Sequence, residues 1–147
     1  MLFNRSRQYI LYPIGMTLLL LSPLAWSQTA LTINERDTLD FGVISNENGI
    51  CKMNNVGALS GVNGQTCVGT GVLAKFQIKG QANYAFFILV SGSSSNGVTL
   101  TPKIKGGSSR TLSASGTRTI YIFGELTLNN ATPGTPSLSY LMSVNYE

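Results

Sequence analysis

Leu138-Ser139-Tyr140-Leu141-Met142-Ser143-Val144-Asn145-Tyr146 decides the fold class. Positions 138, 140, 142, 144 and 146 are all large and apolar, and the residues between them are polar except Leu141. A period of two puts these five side chains on one face of an extended strand, whereas a helix would scatter them. Upstream, the same period recurs in short runs. Leu31 and Ile33 alternate with Thr32 and Asn34, and Leu39, Phe41 and Val43 with Asp40 and Gly42. Ala74, Phe76 and Ile78 share a face, as do Val98, Leu100 and Pro102. Ile120 and Ile122 are followed by Leu126 and Leu128, with Gly124 between, which predicts a bulge. Tyr84 to Val90 is nearly all apolar and reads as a central strand buried on both faces.

Turn residues separate the runs. Ser91 to Gly97 closes on Asn96-Gly97, the pair favoured in a two-residue hairpin turn. Gly106 to Ser109 and Asn129 to Pro136 are further breaks, and Asn54 to Gln65, the least patterned stretch, reads as a long loop. About seven short strands at this spacing predict an all-β antiparallel sandwich. The expected core is Phe41, Phe76, Ile78, Phe86, Ile88, Val90, Leu100, Ile120, Ile122, Leu126, Met142 and Val144.

The first residues have a different character. Arg5 and Arg7 precede an apolar run from Ile14 to Leu21, then Ala25-Trp26-Ser27. Positive, apolar, small is the order read by signal peptidase, and the run is short of the ~20 residues an anchoring helix needs. Residues 1–27 are therefore expected to be a signal peptide, 28–38 an N-terminal extension and 39–147 the sandwich domain. Export places the protein in the periplasm in transit, then at the cell surface or in the medium. It meets the membrane only through the signal peptide. In an oxidising compartment Cys51 and Cys67, the only cysteines, are expected to form a structural disulfide.

The chain has no histidine, which removes the ordinary Ser-His-Asp arrangement and imidazole metal ligands. Glu35, Asp37 and Asp40 cluster, but in a polar segment that reads as a solvated connector and not as a pocket that would raise a carboxyl pKa. The many glycines precede no helix and cradle no phosphate. The sequence predicts no enzyme and no cofactor. Residues 28–147 carry eight basic and six acidic side chains, with no basic run or helix, and nucleic acid is not an expected partner.

The two ends resemble those of chaperone–usher pilus subunits. Tyr146 is penultimate, Gly134 is the fourteenth residue from Glu147, and Thr29, Leu31 and Ile33 could present alternate side chains to a groove. A second resemblance spans Leu39 to Tyr146. Leu39-Asp40-Phe41-Gly42, Ala74 to Gly80, Phe123 to Leu128, Pro133-Gly134 and Val144-Asn145-Tyr146 look like motifs of an uncharacterised family of short exported bacterial domains with a pilin-like sandwich. Glu125 stands where that family has a second glycine, Thr135-Pro136-Ser137 departs from its pattern, and the cysteine pair is not typical of it. The resemblance implies an immunoglobulin-like sandwich, incomplete by one strand, and a fibre subunit assembled by donor-strand exchange. Thr29, Leu31 and Ile33 would then be the donor strand. Gly134, Leu138, Tyr140, Met142, Val144 and Tyr146 would mark the strand that borders the groove. The implied partners are a periplasmic chaperone, an usher and other fibre subunits. The alternative is a self-contained exported module that binds a glycan or matrix ligand through Asn54–Gln65 and Ser91–Gly97.

Overall fold

The computed structural model describes residues 27–134 and 136–147. The signal-peptide expectation, apart from Ser27, lies outside the described residues. Among these residues there is no helix; twelve strands carry the fold. They are β1 (Thr32–Asp37), β2 (Val43–Ile44), β3 (Gly49–Met53), β4 (Leu59–Val62), β5 (Cys67–Val68), β6 (Ala74–Lys79), β7 (Ala85–Gly92), β8 (Ser94–Ser95), β9 (Val98–Ile104), β10 (Ser109–Thr111), β11 (Thr117–Leu128) and β12 (Tyr140–Tyr146). The count exceeds the expected seven because β5, β8 and β10 are two or three residues long, too short to show an alternation, and because β3 and β4 are not among the expected strands. The expected Leu39–Val43 strand does not form as one: only Asp40 bridges, to Val72, Gly42 turns the chain at a φ of 63°, and β2 begins at Val43.

Every ladder is antiparallel. Seven strands form the larger sheet, with β1-β6-β11-β3-β4 in order and β9, carrying β8, on β11's other edge. Ile122 fixes this arrangement, since it pairs with Ala74 of β6 and with Ile104 of β9. A residue can face two strands only across its two edges, so β6 and β3 follow one another along the same side of β11. The smaller sheet is β10-β7-β12, and β2-β5 is a separate ribbon. The sheets face each other as a sandwich. After Gly92 the chain leaves the smaller sheet and enters the larger one as β8. Asn96 and Gly97, at φ 51° and 78°, then make the expected two-residue turn into β9.

The core has two centres. One gathers Phe76, Ile78, Phe86, Ile88, Ile120 and Ile122, the other Phe41, Cys51, Met53, Val98, Leu100 and Leu126. Nine of the twelve expected core residues are fully buried; Val90, Met142 and Val144 pack at the margin. The Cys51–Cys67 disulfide is formed, and it ties the β2-β5 ribbon to the second centre through β3.

Three local readings change. The β7 strand is central but not buried on both faces: Phe86 and Ile88 are buried, while Phe87 and Leu89 are 37% and 55% exposed. An unbroken apolar run hides which face is covered, because a three-stranded sheet on the outside of a sandwich has only one covered face. Gly124 marks no bulge, since the β11 register runs through it to Pro102 without a shift. A methyl there would overlap the Thr101 carbonyl, so the glycine serves close backbone approach. Asn54–Gln65 is not a plain loop either: it contains the edge strand β4 and ends at Gln65, which is buried.

Ile78→Ala is expected to lower unfolding stability by about 2–5 kcal/mol, while Leu89→Ala changes it by about 0.5 kcal/mol or less. Urea denaturation of both variants checks the face assignment, and equal losses would refute it. Removing the disulfide with Cys51→Ser is expected to cost about 2–5 kcal/mol by the same measurement.

Candidate functional site

The sandwich leaves a seam between its first and last strands. β12 pairs with β7 over seven residues, from Tyr140↔Gly92 to Tyr146↔Phe86, and has no other strand partner among the described residues. β1 is likewise an edge, paired only with β6. The alternation that makes β12 a strand turns Tyr140, Met142, Val144 and Tyr146 inward, where they pack against the first core centre yet remain half-buried. Leu141, turned outward, is 72% exposed.

Side chains, not a backbone ladder, bridge the seam. At one end the Tyr140 hydroxyl donates to Glu35 Oε1 at 2.9 Å, with the Tyr140 ring edge-on to Phe76 at 6.0 Å. At the other end the Tyr146 hydroxyl donates to the Thr29 carbonyl at 2.6 Å and accepts from the Gln81 amide at 2.6 Å. Gly80 makes that seat possible, since a methyl there would overlap the Tyr146 hydroxyl and crowd Leu31. Around the Tyr140–Glu35 contact lies a hollow of about 310 Å³ lined by Ile33, Glu35, Thr38, Phe76, Ser139, Tyr140 and Met142. A larger one of about 530 Å³ follows, walled by Leu39, Phe41, Ile44, Leu100, Leu126 and Leu138 among others. Thr38 and Tyr140 line both, so the two are successive parts of one groove.

The residues expected at the two ends meet here, within one chain. Thr29 gives its carbonyl to Tyr146 and its hydroxyl to Gln81, Leu31 packs against the first core centre, and Ile33, 41% exposed, pairs with Ile78 and faces the hollow. Tyr140 and Met142 line the hollow from the other side, Val144 and Tyr146 pack against the first centre, and Leu138 packs against the second. Gly134 stands at the mouth of the larger hollow, at a φ of 138° that suits glycine. The acidic connector is a different finding: Glu35 and Asp37 belong to β1, and Asp40 caps its own turn by accepting from the Gly42 amide at 2.8 Å. A strand with all six residues exposed tolerates charge, which also protects a sheet edge. The Glu35–Tyr140 contact was unreadable beforehand because 105 residues separate the partners.

Comparison with known protein families, with curated proteins and with solved structures finds no match. Among the described residues no group of His, Cys, Asp and Glu is placed to hold a metal.

Burial, and then the hydrogen bond to Glu35, push the Tyr140 phenol well above its ordinary value of 10.0. The folded phenol thus keeps its proton to higher pH than the unfolded one. Its contribution to stability is complete below pH 10.0 and is lost as pH rises through the folded value. Tyr140→Phe is therefore expected to flatten the fall in urea midpoint above about pH 10, and to cost about 0.5–1.5 kcal/mol at neutral pH. Midpoints measured from pH 7 to pH 11 check both.

Proposed function

We propose that this chain is an exported structural subunit of a bacterial surface fibre, an incomplete immunoglobulin-like domain that associates by strand addition. The carrying observation is the β12 edge, seven residues long with no second strand partner among the described residues, above inward side chains that are only half-buried. A strand laid along that edge would form backbone hydrogen bonds and cover Tyr140, Met142 and Val144. The donor in this reading is Thr29, Leu31 and Ile33 of a neighbouring copy. β1 is suited to leave, since all six of its residues are exposed and its ladder to β6 would be replaced by one on β12. Ile33 has the more to gain, because Leu31 is already packed at home. Full burial is worth roughly 1.5–3 kcal/mol per side chain. A contact of this kind runs head to tail and does not close, so it propagates as a fibre. A periplasmic chaperone would cover the edge first and an usher would order the exchange.

A second reading rests on a different observation: β1 is laddered to β6 of its own chain, from Thr32↔Lys79 to Asp37↔Lys75. On that reading the chain is a self-contained exported module.

Donor exchange predicts that Leu31→Asp and Ile33→Asp shorten polymers while Thr32→Asp, turned outward opposite Lys79, leaves their length unchanged. Polymer length by light scattering, after co-expression with a periplasmic chaperone and usher, checks this. A wild type that stays monomeric, with the Asp variants altering only its stability, would leave the self-contained module.

A further inference from the structure

We propose that the outer face of the seven-stranded sheet binds an acidic polysaccharide. The inward set on this sheet is settled by burial: Ala74, Phe76 and Ile78 on β6, Ile120, Ile122 and Leu126 on β11, Cys51 and Met53 on β3. The residues between them point outward, and those directly opposite in the ladders share that face. Lys52, Lys75, Lys79 and Lys103 are collected there in this way; Arg36, at the register shift of β1, joins them by donating to outward Gln77, and Lys105 with its Nζ 5.5 Å from the centre of the Tyr121 ring. Six of the eight basic side chains of residues 28–147 thus lie on one face.

The carboxylates do not follow them. Only Asp37, opposite Lys75, and Glu125, opposite Lys52, are on this face, which gives it a net charge of +4. The remainder of residues 28–147 holds two cations and four carboxylates, a net of −2. Lys103 is bound to Glu125 at 2.5 Å, and the other five cations form no salt bridge among the described residues. The outer face of the smaller sheet, with Phe87, Leu89 and Leu141, carries no basic residue at the corresponding positions, and Glu147 accepts a hydrogen bond from its Ser109. The charge is segregated, and its partner must be anionic.

The surroundings select the kind of anion. Hydroxyl and amide side chains alternate with the cations: Asn34, Gln77, Thr99, Thr101 and Thr119. Arg36 Nη2 already donates to Gln77 Oε1 at 2.8 Å, and the two border a hollow of about 280 Å³ with Lys75, Thr119, Phe76 and the one carboxylate there, Asp37. Ammonium and guanidinium groups fit the carboxylates or sulfates of such a polymer, and the threonine and amide groups fit its hydroxyls. Single-stranded nucleic acid fits less well. It is held by stacking bases on open aromatic faces, whereas Lys105 covers Tyr121 and Phe123 is half-buried. Arg36, Asn34 and Asp37 belong to β1 and would leave with it on strand exchange, but the five lysines and Glu125 stay and hold the face at +4 whether or not the chain polymerises.

The test is binding to immobilised polygalacturonate and dextran sulfate, with neutral dextran and single-stranded DNA alongside, over a range of salt. Both acidic polysaccharides are expected to bind and dextran not. Lys75→Gln/Lys79→Gln should weaken binding about tenfold and lower the slope of log affinity against log salt by about two. Lys52→Gln/Lys105→Gln, the first on β3 and the second across β11, should act in the same direction, whereas Arg118→Gln, off the face, should change affinity by less than about twofold. Losses that track total charge regardless of position, binding to neutral dextran, or tighter binding of the DNA would each overturn the proposal.

Discussion

Both centres of the core hang from the regularity of one strand. β11 runs twelve residues with the same side inward, contributing Ile120 and Ile122 to one centre and Leu126 and Leu128 to the other. Gly124 is the inward position between them, where the β9 backbone at Thr101 and Pro102 comes close. Gly92, where the chain changes sheets, abuts the same stretch of β9 at Leu100 and Pro102. Two glycines on two strands thus let one backbone pass between two packed regions, and the rest of the sandwich is arranged around that passage. A side chain at either would run into the β9 backbone.

How far the fold was readable follows from which forces act locally. Alternation is local, so the inward sets of β6, β9, β11 and β12 were legible residue by residue. The Asn96-Gly97 turn was legible because its backbone angles depend on two residues. The disulfide was legible because only two cysteines exist. The course of β1 through Glu35-Arg36-Asp37 was not, because an exposed edge strand places no apolar demand on its residues and resembles a connector. The free face of β7 was hidden for the opposite reason. Phe87 and Leu89 satisfy a buried pattern, and only the arrangement of sheets reveals that nothing covers them. At the seam, the identities of Tyr140 and Tyr146 were apparent from the final alternation, but their partners Glu35 and Thr29 depend on closure of the whole sandwich.

The basic face shows a related blind spot. A search for consecutive lysines and arginines finds none, because a sheet assembles charge differently from a helix or a tail. Lys75 and Lys79 are four apart, Lys103 and Lys105 two apart, and Arg36 and Lys52 are alone in their strands. Even spacing along strands and antiparallel register across them are what bring these groups together. The modest net of +2 over residues 28–147 conceals the segregation, since four of the six carboxylates lie elsewhere.

The hydrogen bond from Tyr146 to Thr29 has a mechanical meaning. It sets the start of the first strand beside the end of the last, and each strand's nearest ladder pair, Thr32↔Lys79 and Tyr146↔Phe86, is the one a pull would reach first. Tension applied at these two points breaks the tyrosine contact and then peels β1 and β12 outward one pair at a time. A molecule loaded in this way unzips gradually under low force, whereas shear along the strands would oppose the force with all the pairs of a ladder at once.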